Sequence, residues 1–192
     1  MKHPLLLLLV LSPVTALAQA GFGSLRYDYV SANLVLTEID EIGFEFEGST
    51  AVTDDLVVFG RFFDFEQGNG VERELLQIGV GHVWNIRPSI DFIGSIAYGD
   101  NAIRAPGREQ DDEEGLMVGA HLRGWVTARV ELNGGAFLDN SAGSSTDTVL
   151  ELGMQYFHAA NWSFGGRIRS DDEDTALFLG IRFYFGASHT PE

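Results

Sequence analysis

The sequence predicts an all-β fold: a transmembrane, antiparallel up-and-down β-barrel of about ten strands, with eight strands as the alternative. Three observations predict it: strand-length segments that alternate bulky with small or polar residues, connections that alternate between short and long, and an apolar leader. The clearest segment is 76–84, where bulky residues hold one parity and Gln or Gly most of the other. A period of two is typical of a strand with two different faces.

The first twenty residues have the features of a cleavable signal peptide. They contain a positive Lys2, an apolar core at 5–11 and a small-x-small cleavage pattern at 18–20. That core is much shorter than the roughly 20 residues of a membrane-spanning helix. The expected organisation is a leader at 1–20, a barrel at 21–185 and a short C-terminal tail at 186–192. No Cys is present, so neither a lipid-modified Cys nor a disulfide is expected.

Charge and composition exclude some classes of partner. The net charge of −16 argues against binding to nucleic acid. Lys2 is the only lysine, so the expected mature chain carries all its fixed positive charge on arginine. Arginine suits fixed and partly buried pairs with carboxylates, whereas soluble surfaces usually also carry lysine.

Taken in order, the alternating segments predict ten strands, at 25–37, 40–51, 56–66, 72–84, 90–99, 115–125, 128–138, 147–157, 161–170 and 174–185. Connections after even-numbered strands are short, at 52–55, 85–89, 126–127 and 157–160. Those after most odd-numbered strands are longer and polar, at 67–70, 100–114 and 139–147, whereas the ones near Asp40 and at 171–173 are short. Short periplasmic turns and longer outer loops are typical of outer-membrane barrels.

The composition of the two parities distinguishes a membrane barrel from a soluble sandwich or calyx, which also alternates. Opposite the bulky stripes stand small or charged residues, namely Arg61, Gln77, Gly79, Ser95, Gly119, Arg123, Gly180 and Arg182. These residues suit a hydrated lumen and would make an unusually Gly-rich soluble surface. We therefore predict that the bulky parity faces lipid.

A network of charged pairs is predicted on the polar face. Folding across the short turns brings Glu45 and Glu47 near Arg61, Arg123 near Glu131, and Glu151 near Arg167. Arg169 and Arg182 extend the same face. Opposite charges on neighbouring strands stabilise the pairing. One interpretation is that these pairs fill the lumen and hold the barrel closed; the other is a narrow charged constriction that selects small solutes.

Aromatic residues lie near the expected periplasmic ends of the strands: Tyr27, Tyr29, Trp84, Trp125, Trp162 and Phe185. Such rings commonly sit at the headgroup level of a membrane. Tyr27 and Tyr29 have the lumen as an alternative location. The aromatic-ended last strand is typical of proteins that the barrel-assembly machinery recognises, although here seven residues follow Phe185.

Several short motifs resemble those of the small outer-membrane barrels of xanthomonads and their relatives, the Ax type. They are Tyr27-Asp28-Tyr29-Val30, Val57-Val58-Phe59-Gly60, Gly79-Val80-Gly81 followed by an Ile-x-Pro turn, Ala97-Tyr98, and Asp174-Thr175 with Gly180 and Arg182. The resemblance is spread over nearly all the mature chain. It implies a location in the outer membrane of a Gram-negative bacterium and brings no enzymatic motif.

Catalysis is not expected from the histidines. Omptin proteases, which are also outer-membrane barrels, use acidic residues with a His at the outer rim. Here His82 falls on the lipid-facing parity and His158 in a short turn. His121 is on the lumenal parity near Ser95, but no orienting group or oxyanion site is evident. The prediction is that the protein is not an enzyme; an outer-membrane hydrolase is the least favoured alternative.

Two acidic runs are predicted in outer loops. They consist of Asp111, Asp112, Glu113 and Glu114, and of Asp171, Asp172 and Glu173. Charge runs are usually solvated loops. A second interpretation is a surface site for Ca²⁺ or Mg²⁺, which prefer oxygen ligands, but the spacing of an EF-hand loop is absent.

The predicted function is a structural or surface-interaction role for a barrel whose charged lumen is mostly filled. A narrow porin-like channel for small solutes is the alternative. No cofactor is predicted. The expected surroundings are outer-membrane lipid, lipopolysaccharide and the barrel-assembly machinery; the protein is expected to be a monomer, and the sequence does not identify an extracellular ligand.

Overall fold

A computed structural model of the chain describes residues 25–37, 42–66, 71–104, 111–140, 146–171 and 174–185. Its ten strands form a closed antiparallel barrel in which each strand pairs with its neighbours in sequence and β1 pairs with β10. The prediction of a ten-stranded up-and-down barrel is confirmed, and the eight-stranded alternative is excluded. Within these residues there is no helix with the length and apolar character needed to cross a membrane.

The strands are β1 (Tyr29–Thr37), β2 (Ile42–Ala51), β3 (Leu56–Glu66), β4 (Glu72–Arg87), β5 (Ile90–Arg104), β6 (Asp111–Thr127), β7 (Val130–Asp139), β8 (Asp147–Ala159), β9 (Trp162–Ser170) and β10 (Thr175–Tyr184). The start of β1 and the end of β10 lie at the same end of the barrel as the four short turns, since Tyr29 pairs with Tyr184. We call this the short-turn end and the opposite one the loop end.

The two parities face opposite sides of the barrel wall, as the alternation predicts. Bulky side chains such as Leu152 and Ile181 are 62% and 61% exposed on the outer surface. Charged side chains of the other parity, among them Glu45 and Glu131, are completely buried inside. This distribution is the inverse of a water-soluble protein and is that of a transmembrane barrel.

Bulges mark three of the short turns. Register shifts lie between Asn85 and Arg87, between Trp125 and Thr127, and between Phe157 and Ala159, each one or two residues before its turn. A bulge places an extra residue in one strand and increases the local twist. The two-residue turns that follow, at 88–89, 128–129 and 160–161, can therefore close the hairpins without splaying the strands.

The predicted loop at 100–114 is wrong. β5 continues to Arg104 and β6 begins at Asp111, so Asp111 to Glu114 belong to a strand. The ladder extends because the backbone pairs regardless of polarity, as with Asn101 opposite Glu113. The residue pattern does not reveal this extension, since a hairpin beyond an apolar band needs no alternation of bulky residues.

The predicted start of the first strand is also wrong, because residues 25–28 precede β1 and lie across the short-turn end of the lumen. Leu25 is buried, and the Tyr27 hydroxyl donates a hydrogen bond to Asp91 at 2.6 Å. Asp28 accepts hydrogen bonds from the Thr50 hydroxyl at 2.8 Å and from the Ala51 amide at 3.0 Å. We call residues 25–28 the N-terminal cap. The tail at 186–192 lies outside the described residues.

Candidate functional site

The centre of the lumen is a cluster of ion pairs around Arg167. Its Nη1 lies 3.0 Å from Glu47 Oε2, its Nη2 hydrogen-bonds Glu45, and its Nε lies 3.5 Å from Glu151 Oε2. Arg61 Nε lies 3.7 Å from the same oxygen of Glu47. The structure thus brings together the residues of two predicted pairs. It also adds a contact across the lumen, from β9 to β2, that no turn-based argument could provide.

A second buried pair joins β6 and β7. Arg123 Nε and Nη2 each donate to one oxygen of Glu131 at 3.0 Å, and the two side chains are only 5% and 1% exposed. This forked geometry is the strong form of an arginine–carboxylate contact. Arg123 also lies 4.7 Å above the ring of Tyr27 and donates to the Arg26 carbonyl at 3.2 Å. The pair therefore supports the N-terminal cap as well as the hairpin.

The last two arginines of the predicted network have partners that the sequence does not indicate. Arg169 Nη2 donates to Asp139 Oδ2 at 3.1 Å. The sequence places Asp139 in a loop, although its position at the end of an alternating segment could have suggested an inward side chain. Arg182 lies 4.0 Å above the ring of Tyr29, whose hydroxyl donates to Glu47. Among the ion pairs of the described residues none includes Arg182, so Tyr29 links it to the central cluster.

Aromatic side chains close the short-turn end of the lumen. Tyr29, Phe157 and Tyr184 form a buried cluster against which Trp125 packs, with ring centroids of Phe157 and Trp125 4.6 Å apart. Trp125 therefore points inward and is not part of an interfacial belt, and Tyr29 and Tyr27 take the lumenal alternative. Tyr27 packs against a buried cluster of Val57, Val83 and Ile93. Of the residues predicted to form an aromatic belt, three are exposed on the outer surface: Trp84, Trp162 and Phe185.

Apolar side chains also occupy the loop end of the lumen. Val35, Phe63 and Phe178 form one buried cluster, with the rings of Phe63 and Phe178 6.2 Å apart. The Arg167 guanidinium lies 4.3 Å above the Phe178 ring, so the apolar layer is in direct contact with the charged one. Met117 and Phe137 belong to a further buried cluster.

A cavity of about 70 Å³ remains between these layers, bordered by four arginines (Arg61, Arg123, Arg167, Arg182) and two glutamates (Glu47, Glu151). On this measure one water needs roughly 10–15 Å³, so the cavity has room for a few waters and not for a sugar. His121 and Ser95 also line it, and His121 Nδ1 has no hydrogen-bond partner among the described residues. Glu47 and Glu151 line the same cavity, but no hydrogen bond joins either carboxylate to His121 among the described residues.

Those predicted acidic residues that the structure describes lie at the loop end, away from the central cluster. Glu114 is exposed on β6, and Asp111 and Asp112 begin the same strand. Asp171 Oδ1 accepts a hydrogen bond from the Asp174 amide at 2.8 Å, whereas Asp172 and Glu173 are outside the described residues. Within the described part of the chain no three His, Asp or Glu side chains are grouped closely enough to hold a metal ion. The cation-site hypothesis stays a prediction.

Comparison with known proteins shows a likeness of fold. The sequence matches no protein-family model and no curated protein. Among solved structures, the KdgM porin has a TM-score of 0.53 at 8% identity, covering 82% of this chain and 99% of that one. The KdgM porin in complex with disordered oligogalacturonate gives 0.51 at 7% identity, with 82% and 99% covered. The NanC porin gives 0.48 at 8% identity, covering 81% and 100%. The resemblance to the Ax type stays a prediction.

Proposed function

We propose that this protein is an outer-membrane barrel of a Gram-negative bacterium with a structural or surface-interaction role and a non-conducting lumen. The observation that carries the proposal is the filled interior. Side chains that are at most 2% exposed occur in every layer of the lumen. Tyr184 and Glu131 lie at the short-turn end, Glu45 and Gln77 in the centre, and Phe63 and Phe178 at the loop end. Small barrels whose interiors are filled by side chains leave no path for solutes.

Two features support the membrane location. The barrel exterior is apolar, with Trp84 and Trp162 near the short-turn rim, where aromatic girdles meet the headgroups. The sequence begins with the predicted leader. In this proposal the short turns face the periplasm and the long hairpins face outward, the barrel-assembly machinery inserts the chain, and the barrel stands as a monomer in lipid and lipopolysaccharide.

Gel mobility tests the location. A folded outer-membrane barrel resists unfolding in detergent until boiled, so the protein in the membrane fraction should migrate faster before heating than after it. Recovery of the folded protein in the soluble periplasmic fraction would contradict the proposal.

Conductance in planar bilayers tests the filled lumen. Wild-type protein, with insertion verified by heat-modifiable mobility, should give no steady current above background. The KdgM porin, whose fold is similar, serves as the positive control in the same bilayers. A steady current from that porin shows that the method detects an open barrel. Alanine variants of the end clusters alone would not serve, because they leave the central ion pairs of Arg167 in place.

A narrow channel for small solutes is the second candidate, favoured by the charged cavity. Its lining of four arginines and two glutamates resembles a charged constriction, and the KdgM porin, whose fold is similar, forms a complex with disordered oligogalacturonate. Steady wild-type current with anion preference would support this candidate and refute the non-conducting lumen. Catalysis by His121 and Ser95 is not part of the proposal: an activated serine needs a base held by an orienting group, and His121 Nδ1 has no hydrogen-bond partner among the described residues.

A further inference from the structure

One edge of β6 extends beyond its neighbour at the loop end. β5 pairs with β6 from Asp111 onward, whereas the pairing of β7 with β6 starts only at Met117, opposite Asp139. Asn140 completes the ladder: its amide donates to the Leu116 carbonyl at 3.1 Å and its Oδ1 accepts from the Leu116 amide. Residues 111–115 therefore have β5 on one side and, among the described residues, no strand on the other. We call residues 111–115 the open edge.

The backbone of the open edge presents hydrogen-bonding groups on the side where the described residues place no strand. Both backbone groups of Leu116 point toward β7, since both bond Asn140. Backbone groups of a strand alternate in direction with a period of two, so those of Glu114 and Asp112 point the same way. A row of unpaired amides and carbonyls is a template for an added strand.

The surroundings of the open edge are acidic. Four of its five residues are Asp or Glu. On the neighbouring strand β5, Asp100 lies opposite Glu114. Farther along the same end of the barrel, Asp64 of β3 lies opposite Glu74 of β4. Like charges placed directly opposite each other destabilise a sheet. A cationic partner would relieve this repulsion, as Arg104 does for Glu74 at 2.8 Å.

We propose that the open edge binds an extended, basic segment of a partner protein by strand addition. The proposal rests on the surface-interaction role proposed for the barrel and names the class of partner. The backbone supplies the pairing, and the carboxylates select lysine- or arginine-rich strands. A second copy of this chain is disfavoured as the occupant, because antiparallel pairing of two open edges would set acidic residues against acidic residues.

The experiment measures peptide binding to the full chain, folded in detergent micelles, by fluorescence anisotropy. The probe is a labelled peptide of sequence Lys-Val-Lys-Val-Lys-Val-Lys. There are two control peptides. The first has the same sequence with alternate backbone nitrogens methylated, and the second has Glu in place of every Lys. Strand addition predicts binding of the probe, loss of at least about tenfold in affinity on methylation, and no binding of the acidic peptide, because each methylated nitrogen that faces the edge removes one backbone hydrogen bond.

Variants separate the backbone from the charge. Glu114→Gln should weaken binding by a few-fold, since it removes one cross-strand charge pair. Glu114→Pro also removes the backbone N–H that points away from β5, and it leaves the hydrogen bonds between β5 and β6 intact. It should therefore weaken peptide binding further. Asp54→Asn in a short turn is the matched control and should bind like wild type.

Hydrogen exchange locates the bound peptide. Amides of the open edge should exchange more slowly in its presence, and amides of the short turns should not change. Four results would each overturn the proposal. They are no binding of the probe, equal affinity for the methylated peptide, equal affinity of Glu114→Gln and Glu114→Pro for the probe, and protection from exchange outside the open edge. Because the assay uses folded protein in micelles, its failure would leave the conductance and location results unaffected.

Discussion

The buried pair of Arg123 and Glu131 allows a quantitative test of what holds the barrel together. In Glu131→Gln the side chain keeps its shape, but the guanidinium loses its counter-charge and one of its two 3.0 Å contacts becomes an unfavourable meeting of donors. Removing one partner of a buried ion pair costs about 3–5 kcal/mol. Arg123 keeps the Arg26 carbonyl and the Tyr27 ring, so we expect the low end, about 3 kcal/mol, or roughly a hundredfold in the unfolding equilibrium.

The assay is urea unfolding of the full chain in lipid vesicles, followed by tryptophan fluorescence. The expected result is a lower midpoint with an unchanged dependence on urea, because the surface exposed on unfolding is the same. The double variant Arg123→Met with Glu131→Leu should recover most of the loss, since apolar replacement of a whole buried pair is often neutral. Failure to recover would mean that Arg123 stabilises the fold mainly through the N-terminal cap.

An exposed ion pair provides the matched control. Glu74 and Arg104 lie 2.8 Å apart at the barrel surface, with side chains 38% and 46% exposed. Pairs of this kind contribute about 0–1 kcal/mol, so Glu74→Gln should change the free energy of unfolding by no more than that. If Glu131→Gln costs no more than Glu74→Gln, burial does not strengthen the pair of Arg123 and Glu131.

Two further predictions use the same unfolding assay. Ile181→Arg on the exposed outer face should lower the free energy of unfolding by about 2–4 kcal/mol, and Val52→Arg in a short turn by much less. If the two variants lose the same free energy, the apolar outer face does not contact lipid. Gly79→Ala should lower the free energy of unfolding by about 1–3 kcal/mol, because the new Cβ would lie 2.7 Å from the Cβ of Ala97. A Cβ at Gly60 would make only ordinary van der Waals contact, so Gly60→Ala should be tolerated. Similar losses at both glycines would contradict this packing argument.

The strands were predictable because lipid imposes one simple rule on them. The strands place bulky apolar residues outside and mostly small or polar ones inside, so a period of two identifies segments such as 56–66 to the residue. The closing contact between β1 and β10 also follows, since an open edge cannot remain in hydrocarbon. The β5–β6 hairpin beyond Tyr98 escaped prediction because that rule does not apply to polar strands outside the apolar band.

The charged pairs were predictable only where a short turn sets the register. Arg123 and Glu131 lie on the same face within a few residues of one short turn. In the register they are diagonal neighbours, with Arg123 opposite Asn133 and Glu131 opposite Trp125, so their contact can be anticipated from the sequence. The contact of Arg167 with Glu45 depends on which strands face each other across the closed barrel. That depends on strand tilt and stagger, which a local pattern does not encode. The inward direction of Trp125 was missed for a related reason, because the alternation does not distinguish a rim aromatic from a lumenal one.

The contacts of Glu47 explain why we place the function of this protein outside the lumen. This one carboxylate bonds the Tyr29 hydroxyl and pairs with both Arg61 and Arg167. A solute that passed through would have to displace several such buried contacts together, each worth about 1.5–3 kcal/mol for a hydrogen bond to a charged group. Glu114 on the open edge has one side-chain hydrogen bond, with the Tyr98 hydroxyl, and no arginine among its ion-pair partners within the described residues. A strand added at the loop end would therefore displace far fewer contacts than a solute inside the lumen.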